Sequence, residues 1–106
     1  MTDREKLPNV RGGQAIDFEW MGHQFTGRGN FYPDGRLAEI FISGGKTGTH
    51  MQITMQDAAV AASLALQHGC DAQTLRRACL RTEDDKPAGP MGMLLEKLAE
   101  GQPREI

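Results

Sequence analysis

Asn30-Phe31-Tyr32-Pro33-Asp34-Gly35-Arg36-Leu37-Ala38-Glu39-Ile40-Phe41-Ile42 reads as strand, turn, strand. Pro33 presets φ, Asp34 can bond to nearby backbone, and Gly35 accepts a left-handed conformation. Beyond the turn, Ala38, Ile40 and Ile42 alternate with Leu37, Glu39 and Phe41, which is the period of a strand over residues 36–43. Apolar residues on both faces predict a sheet covered by helices on one side and by a partner on the other.

Upstream, Ile16, Phe18 and Trp20 alternate with Asp17 and Glu19, so a strand is expected from Gln14. Met21-Gly22 makes a two-residue turn, and a second strand follows over residues 23–32. Gly27 and Gly29 lie inside it, where glycine weakens a strand and marks a bulge or a close approach. The three strands form an antiparallel meander. Residues 1–13 are polar, end in Arg11-Gly12-Gly13, and read as a flexible arm.

Downstream, Thr49 and Gln52 have capping-box spacing, so a helix is expected from His50 to about His68, closed by Gly69. Its middle, Ala58-Ala59-Val60-Ala61-Ala62-Ser63-Leu64-Ala65-Leu66, is apolar almost all round, the mark of a buried helix. Asp71 caps a second helix over residues 72–80, and a polar loop follows to Gly89. Pro90 suits the first position of a third helix, whose stripe is Met91, Leu94, Leu95 and Leu98. The expected fold class is therefore α+β, a three-stranded antiparallel meander followed by a long buried helix and two shorter ones. Residues 14–100 form a single domain, and residues 101–106 a flexible tail.

Composition narrows the function classes. The chain has 106 residues and a net charge of −2, from 12 basic and 14 acidic side chains. That length suits one domain with a thin core. That charge gives no general attraction to nucleic acid or to anionic membrane. No apolar run approaches the roughly 20 residues that span a bilayer, and Met1-Thr2-Asp3-Arg4-Glu5-Lys6 leads into no apolar segment. A cytoplasmic location is expected. Cys70 and Cys79 do not make a disulfide framework and read as free thiols packed as small apolar groups.

The run from Asn30 to Ile42, and the helix from Asp57 ending in Ser63-Leu64-Ala65-Leu66-Gln67-His68-Gly69, resemble the TSCPD domain. That domain stands at the C-terminal end of cobalamin-dependent ribonucleotide reductases and also as short separate proteins. The resemblance covers about half the chain, from Phe25 to Cys79, and rests on the order and spacing of its parts. The segment that names the family, Thr-Ser-Cys-Pro-Asp, is replaced here by Pro87-Ala88-Gly89-Pro90-Met91-Gly92, without the cysteine. Thiol or metal chemistry in that segment is therefore not expected. Nor does the resemblance import reductase activity, which needs a large barrel, redox cysteines and a cobalamin site. It implies an accessory module in the setting of deoxynucleotide supply or DNA synthesis.

Several groups are candidate sites beside plainer structural readings. Gly44-Gly45-Lys46-Thr47-Gly48-Thr49 joins a strand to a helix, but a phosphate loop needs glycine where Ile40 stands. What remains is a flexible helix entry or an anion site at Lys46, Thr47 and Thr49. Arg76, Arg77 and Arg81, with Arg28, are either a solvated basic face or nucleic-acid contacts. Phe18, Trp20, Phe41 and Ile42 are expected in packing or in a subunit interface, with a homodimer the expected assembly. His23, His50 and His68 do not meet zinc spacings. No nucleophile and base stand together, so no catalytic residue, cofactor site or metal site is assigned. The first expectation is a non-catalytic accessory or binding module, and the alternative is a small nucleic-acid or nucleotide-phosphate binder.

Overall fold

The computed structural model describes residues 3–8, 12–44 and 50–100. The expected anion loop at Lys46, Thr47 and Thr49, and the expected tail, lie outside these residues. Three strands, β1 (Gly12–Trp20), β2 (His23–Phe31) and β3 (Leu37–Gly44), are followed by α1 (His50–Gln67), α2 (Ala72–Ala78) and α3 (Pro90–Glu100). The sheet is antiparallel in the order β1-β2-β3. The α+β meander read from the sequence is the fold observed.

The turns follow from local chemistry. Gly35 N–H bonds the Tyr32 carbonyl at 2.9 Å and Tyr32 N–H bonds the Arg36 carbonyl at 2.8 Å, closing the β2–β3 hairpin. Asp34 accepts from Arg36 N–H at 3.0 Å, and the Arg36 guanidinium lies over the Tyr32 ring at 4.7 Å. Met21 and Gly22 carry φ of 52° and 79° between β1 and β2. Positive φ at both central positions is the twist-matched hairpin turn, which favours Asn-Gly. A methionine in the left-handed region is strained, and Met21 is 77% exposed. Met21→Asn is therefore expected to stabilise the fold by about 0.5–1 kcal/mol, read as a higher urea midpoint with unchanged slope.

One sheet face carries the core. Phe18, Phe25, Ile40 and Ile42, with Ile16 packed against them, belong to a cluster completed by Met55, Ala59 and Ala62 of α1 and by Leu94, Leu95 and Leu98 of α3. Phe18 and Phe25 are cross-strand partners whose rings stack at 5.6 Å. Gly27 and Gly29 provide the close approach that two glycines in a strand suggested. A Cβ on Gly27 would stand 2.3 Å from Leu94 Cδ1, and one on Gly29 would stand 2.9 Å from Leu98 Cδ1. Helix α3 is thus seated on bare backbone in the middle of the sheet.

Four details differ from the sequence reading. A register shift between Asn30 and Phe31 pairs Phe31 with Leu37. Leu37 consequently meets Gly29 and packs against the core, leaving the Phe41 face on which alternation had put it. Residues 4 and 5, expected in a free arm, are tied down. Glu5 N–H bonds the Gln67 carbonyl at 2.7 Å, the Tyr32 hydroxyl bonds the Glu5 carbonyl at 2.9 Å, and Arg36 pairs with the Glu5 carboxylate at 2.9 Å. Helix α1 is buried on one stripe only, through Met55, Ala59, Ala62, Leu66 and Gln67, while Ile53, Val60 and Leu64 are exposed. A helix lying along one edge of a three-stranded sheet has too little neighbouring chain to cover it all round. Helix α2 stops at Ala78 because Cys79 turns extended, at φ −64° and ψ 148°.

The end of α1 and the start of α2 are capped as their residues dictate, while the expected cap Thr49 lies outside the described residues. Gly69 has φ 102°, and Cys70 N–H returns to the Ala65 carbonyl at 3.0 Å, closing α1 through a left-handed glycine. Asp71 accepts from Thr74 N–H at 2.7 Å at the start of α2. That backbone bond, first among its influences, holds the Asp71 carboxyl below its ordinary 3.8. Asp34 is held low by the Arg36 backbone and side chain, and Asp84 by the Thr82 hydroxyl. Depressed carboxylates stabilise the fold above the unfolded pKa, and that contribution is lost as pH falls through the folded value. From these carboxylates, stability should accordingly be level between about pH 5 and 8 and decline below about 3.8. Asp71→Asn keeps a capping acceptor without a titrating proton, so urea midpoints between pH 2 and 5 should fall less steeply in that variant.

Candidate functional site

The sheet face away from α3 is polar. Asp17, Thr26, Arg28 and Glu39 stand on it, with Phe41 opposite Arg28 in the register. Thr26 donates to Asp17 at 2.8 Å, Arg28 Nε donates to Asn30 Oδ1 at 3.2 Å, and Asn30 Nδ2 donates to Glu39 Oε1 at 2.8 Å. Asn30 and Glu39 are both buried, at 7% and 9% exposure. Gly13 lies against this network, where a Cβ would come within 2.5 Å of the Arg28 guanidinium.

Helix α1 runs beside β3 and covers its outer edge. The Ser63 hydroxyl accepts from Ile40 N–H at 2.9 Å and donates to the Ile40 carbonyl at 3.1 Å. Gln67 Nε2 donates to the Ala38 carbonyl at 3.1 Å, and Arg4 Nε donates to Gln67 Oε1 at 2.6 Å. Backbone groups that would otherwise offer a sheet edge are thereby satisfied. Between this helix stripe and the polar face lies a cleft of about 540 Å³, lined among others by Arg4, Arg28, Phe41, Val60, Leu64 and Gln67. Phe41, Val60 and Leu64 are 51%, 61% and 40% exposed, so the cleft is apolar in its middle. That volume is within the range of small-molecule sites, roughly 300–1,000 Å³.

The other sequence candidates fall elsewhere. Arg76 lies 3.6 Å and Arg81 3.8 Å from Glu96 of α3, and Arg81 pairs with Asp85 at 2.7 Å. These two arginines fasten α2 and the loop after it to α3. Arg28 is on the opposite face of the sheet from α3, so the fold does not gather the four arginines into one surface. Phe18 and Ile42 are core residues at 5% and 4% exposure, and Trp20 is partly buried against the same core, which leaves Phe41 as the exposed member of that group. Cys70 and Cys79 are free, and burial pushes the Cys79 thiol up. His23 opens β2, His50 opens α1 and His68 follows α1, and no cluster of three metal-ligating side chains is found among the described residues. No helix among those residues is long and apolar enough to cross a membrane. The sequence reading missed Arg4, Val60 and Leu64 as site residues. The alanine-rich stretch around Val60 carries no contrast that marks an outward face.

The model of the TSCPD domain matches residues 4–93. A vitamin B12-dependent ribonucleotide reductase of Bradyrhizobium diazoefficiens is 37% identical over 91 residues, covering 86% of this chain and 7% of the reductase. One from Agrobacterium fabrum is 42% identical over 67 residues, covering 63% of this chain and 5% of the reductase. One from Rhodopirellula baltica is 36% identical over 66 residues, covering 62% and 6% respectively. The chain thus spans less than a tenth of the length of these relatives, and the cobalamin dependence in their names belongs to those longer chains. No solved structure matches it. With its family model covering residues 4–93, including the N-terminal residues that tie to α1, this chain belongs to the TSCPD domain family.

Proposed function

We propose that this chain is a cytoplasmic, non-catalytic accessory module that binds a protein partner in cobalamin-dependent ribonucleotide reduction. The supporting observation is the match of 86% of this chain to 7% of a reductase. A matched region of that proportion suits a docking function. The cleft beside β3 is the surface through which it acts in this reading. Nucleic-acid binding is the weaker reading, since Arg76 and Arg81 are each opposed by a carboxylate.

The test uses the Bradyrhizobium diazoefficiens reductase from which the region matching this chain has been deleted. Nucleotide reduction is measured with this chain alone, with the shortened reductase alone, and with both. This reading expects no turnover from the chain alone and a changed rate or substrate affinity when the two are combined. Turnover by the chain alone, or no effect and no binding in the mixture, contradicts it.

A further inference from the structure

Of the described arginines, Arg77 is exposed on α2, away from the cleft, and Arg36, Arg76 and Arg81 each pair with a carboxylate. Arg4 and Arg28 do not among the described residues: Arg4 bonds the Gln67 amide and Arg28 bonds the Asn30 amide. Both line the cleft beside β3, with exposed Phe41, Val60 and Leu64 between the sheet and the helix. We propose that this cleft is a docking groove for an amphipathic helix of a partner protein, one whose apolar stripe is flanked by carboxylates.

Three features support that occupant. The apolar side chains rise from the surface at 40–61% exposure, which suits a partner that covers them. Strand addition is blocked at the centre of the β3 edge, because Ile40 N–H and C=O are taken by Ser63 and the Ala38 carbonyl by Gln67. A partner must then engage through side chains, as a helix in a groove does. The charge is set on the rim. Arg28 flanks Phe41 across the strand pair, and Arg4 stands at the Gln67 end of α1. The groove's own carboxylate, Glu39, is buried and accepts from Asn30. Carboxylates beside the partner's apolar stripe complement the two guanidinium groups. The proposal deepens the accessory-module reading and rests on it for the existence of a partner.

Two synthetic helical peptides of about 16 residues with one shared leucine stripe, flanked by glutamates in one and lysines in the other, provide the probe. Fluorescence anisotropy with the full chain should show the glutamate peptide binding at least about tenfold tighter at low salt, with the gap narrowing as salt rises. Val60→Asp should abolish that binding at unchanged melting temperature, since Val60 is 61% exposed. Arg4→Glu with Arg28→Glu should reverse the peptide preference. Equal affinity for both peptides, or binding indifferent to Val60→Asp, overturns the groove. So does a dimer in light scattering that Val60→Asp dissolves, which assigns the face to a second copy. So does ATP binding that needs Arg4 and Arg28 while neither peptide binds. Titrating the shortened reductase against the same variants separates the two readings. Reductase binding that ignores Val60→Asp overturns the groove and spares the accessory role. Peptide binding without reductase binding does the reverse.

Discussion

Leu94→Ala is expected to destabilise the protein by about 3–5 kcal/mol, measured by urea unfolding. Leu94 is fully buried and sits over the bare backbone of Gly27, with Leu95 and Leu98 beside it in the same cluster. Its removal loses the transfer energy of the side chain and leaves a cavity that a glycine floor cannot fill. Domains of this size have about 5–15 kcal/mol in total, so the variant should be close to unfolding at moderate temperature. Leu80→Ala is the control, since Leu80 is 83% exposed and its loss should stay within about 0.5 kcal/mol. A loss below about 1 kcal/mol for Leu94→Ala would mean that α3 is not seated on β2.

Gly27→Val approaches the same contact from the other side. In an ordinary strand, replacing glycine is favourable by about 0.5–1 kcal/mol through backbone entropy. Here a Cβ would lie 2.3 Å from Leu94 Cδ1 and 2.8 Å from Cδ2. Leu94 has no exposed side on which to swing away, so steric overpacking decides the sign. The variant should lose about 2–3 kcal/mol. The pair should also couple. Gly27→Ala combined with Leu94→Ala should cost at least about 1 kcal/mol less than the sum of the single changes, because the added methyl group enters the space that the leucine vacates. Strict additivity would contradict direct contact.

Much of the fold was legible because its signals are local. Pro33-Asp34-Gly35 closes the hairpin, Gly69 ends α1, Asp71 caps α2 and Pro90 opens α3, each within a few residues of its partner. What stayed hidden depends on distant pairing. The tether from Glu5 to Gln67 and the cover of β3 by Ser63 join residues far apart in the chain, and the register shift at Asn30 leaves no mark in the alternation of single residues. The candidate site was legible only in part for the same reason. Arg28 and Phe41 were named for separate reasons, yet they are cross-strand neighbours. The basic cluster at Arg76 and Arg81 could not be seen as internal, because Glu96 lies on another helix.

The central claim is that this module works through its surface beside β3. Calorimetric titration of the shortened Bradyrhizobium diazoefficiens reductase with the full chain tests it most directly, with Val60→Asp measured alongside. The account predicts saturable binding by the native chain and a loss of at least about tenfold in the variant, both proteins having the same melting temperature. Binding of equal strength by both, or by neither, would contradict it.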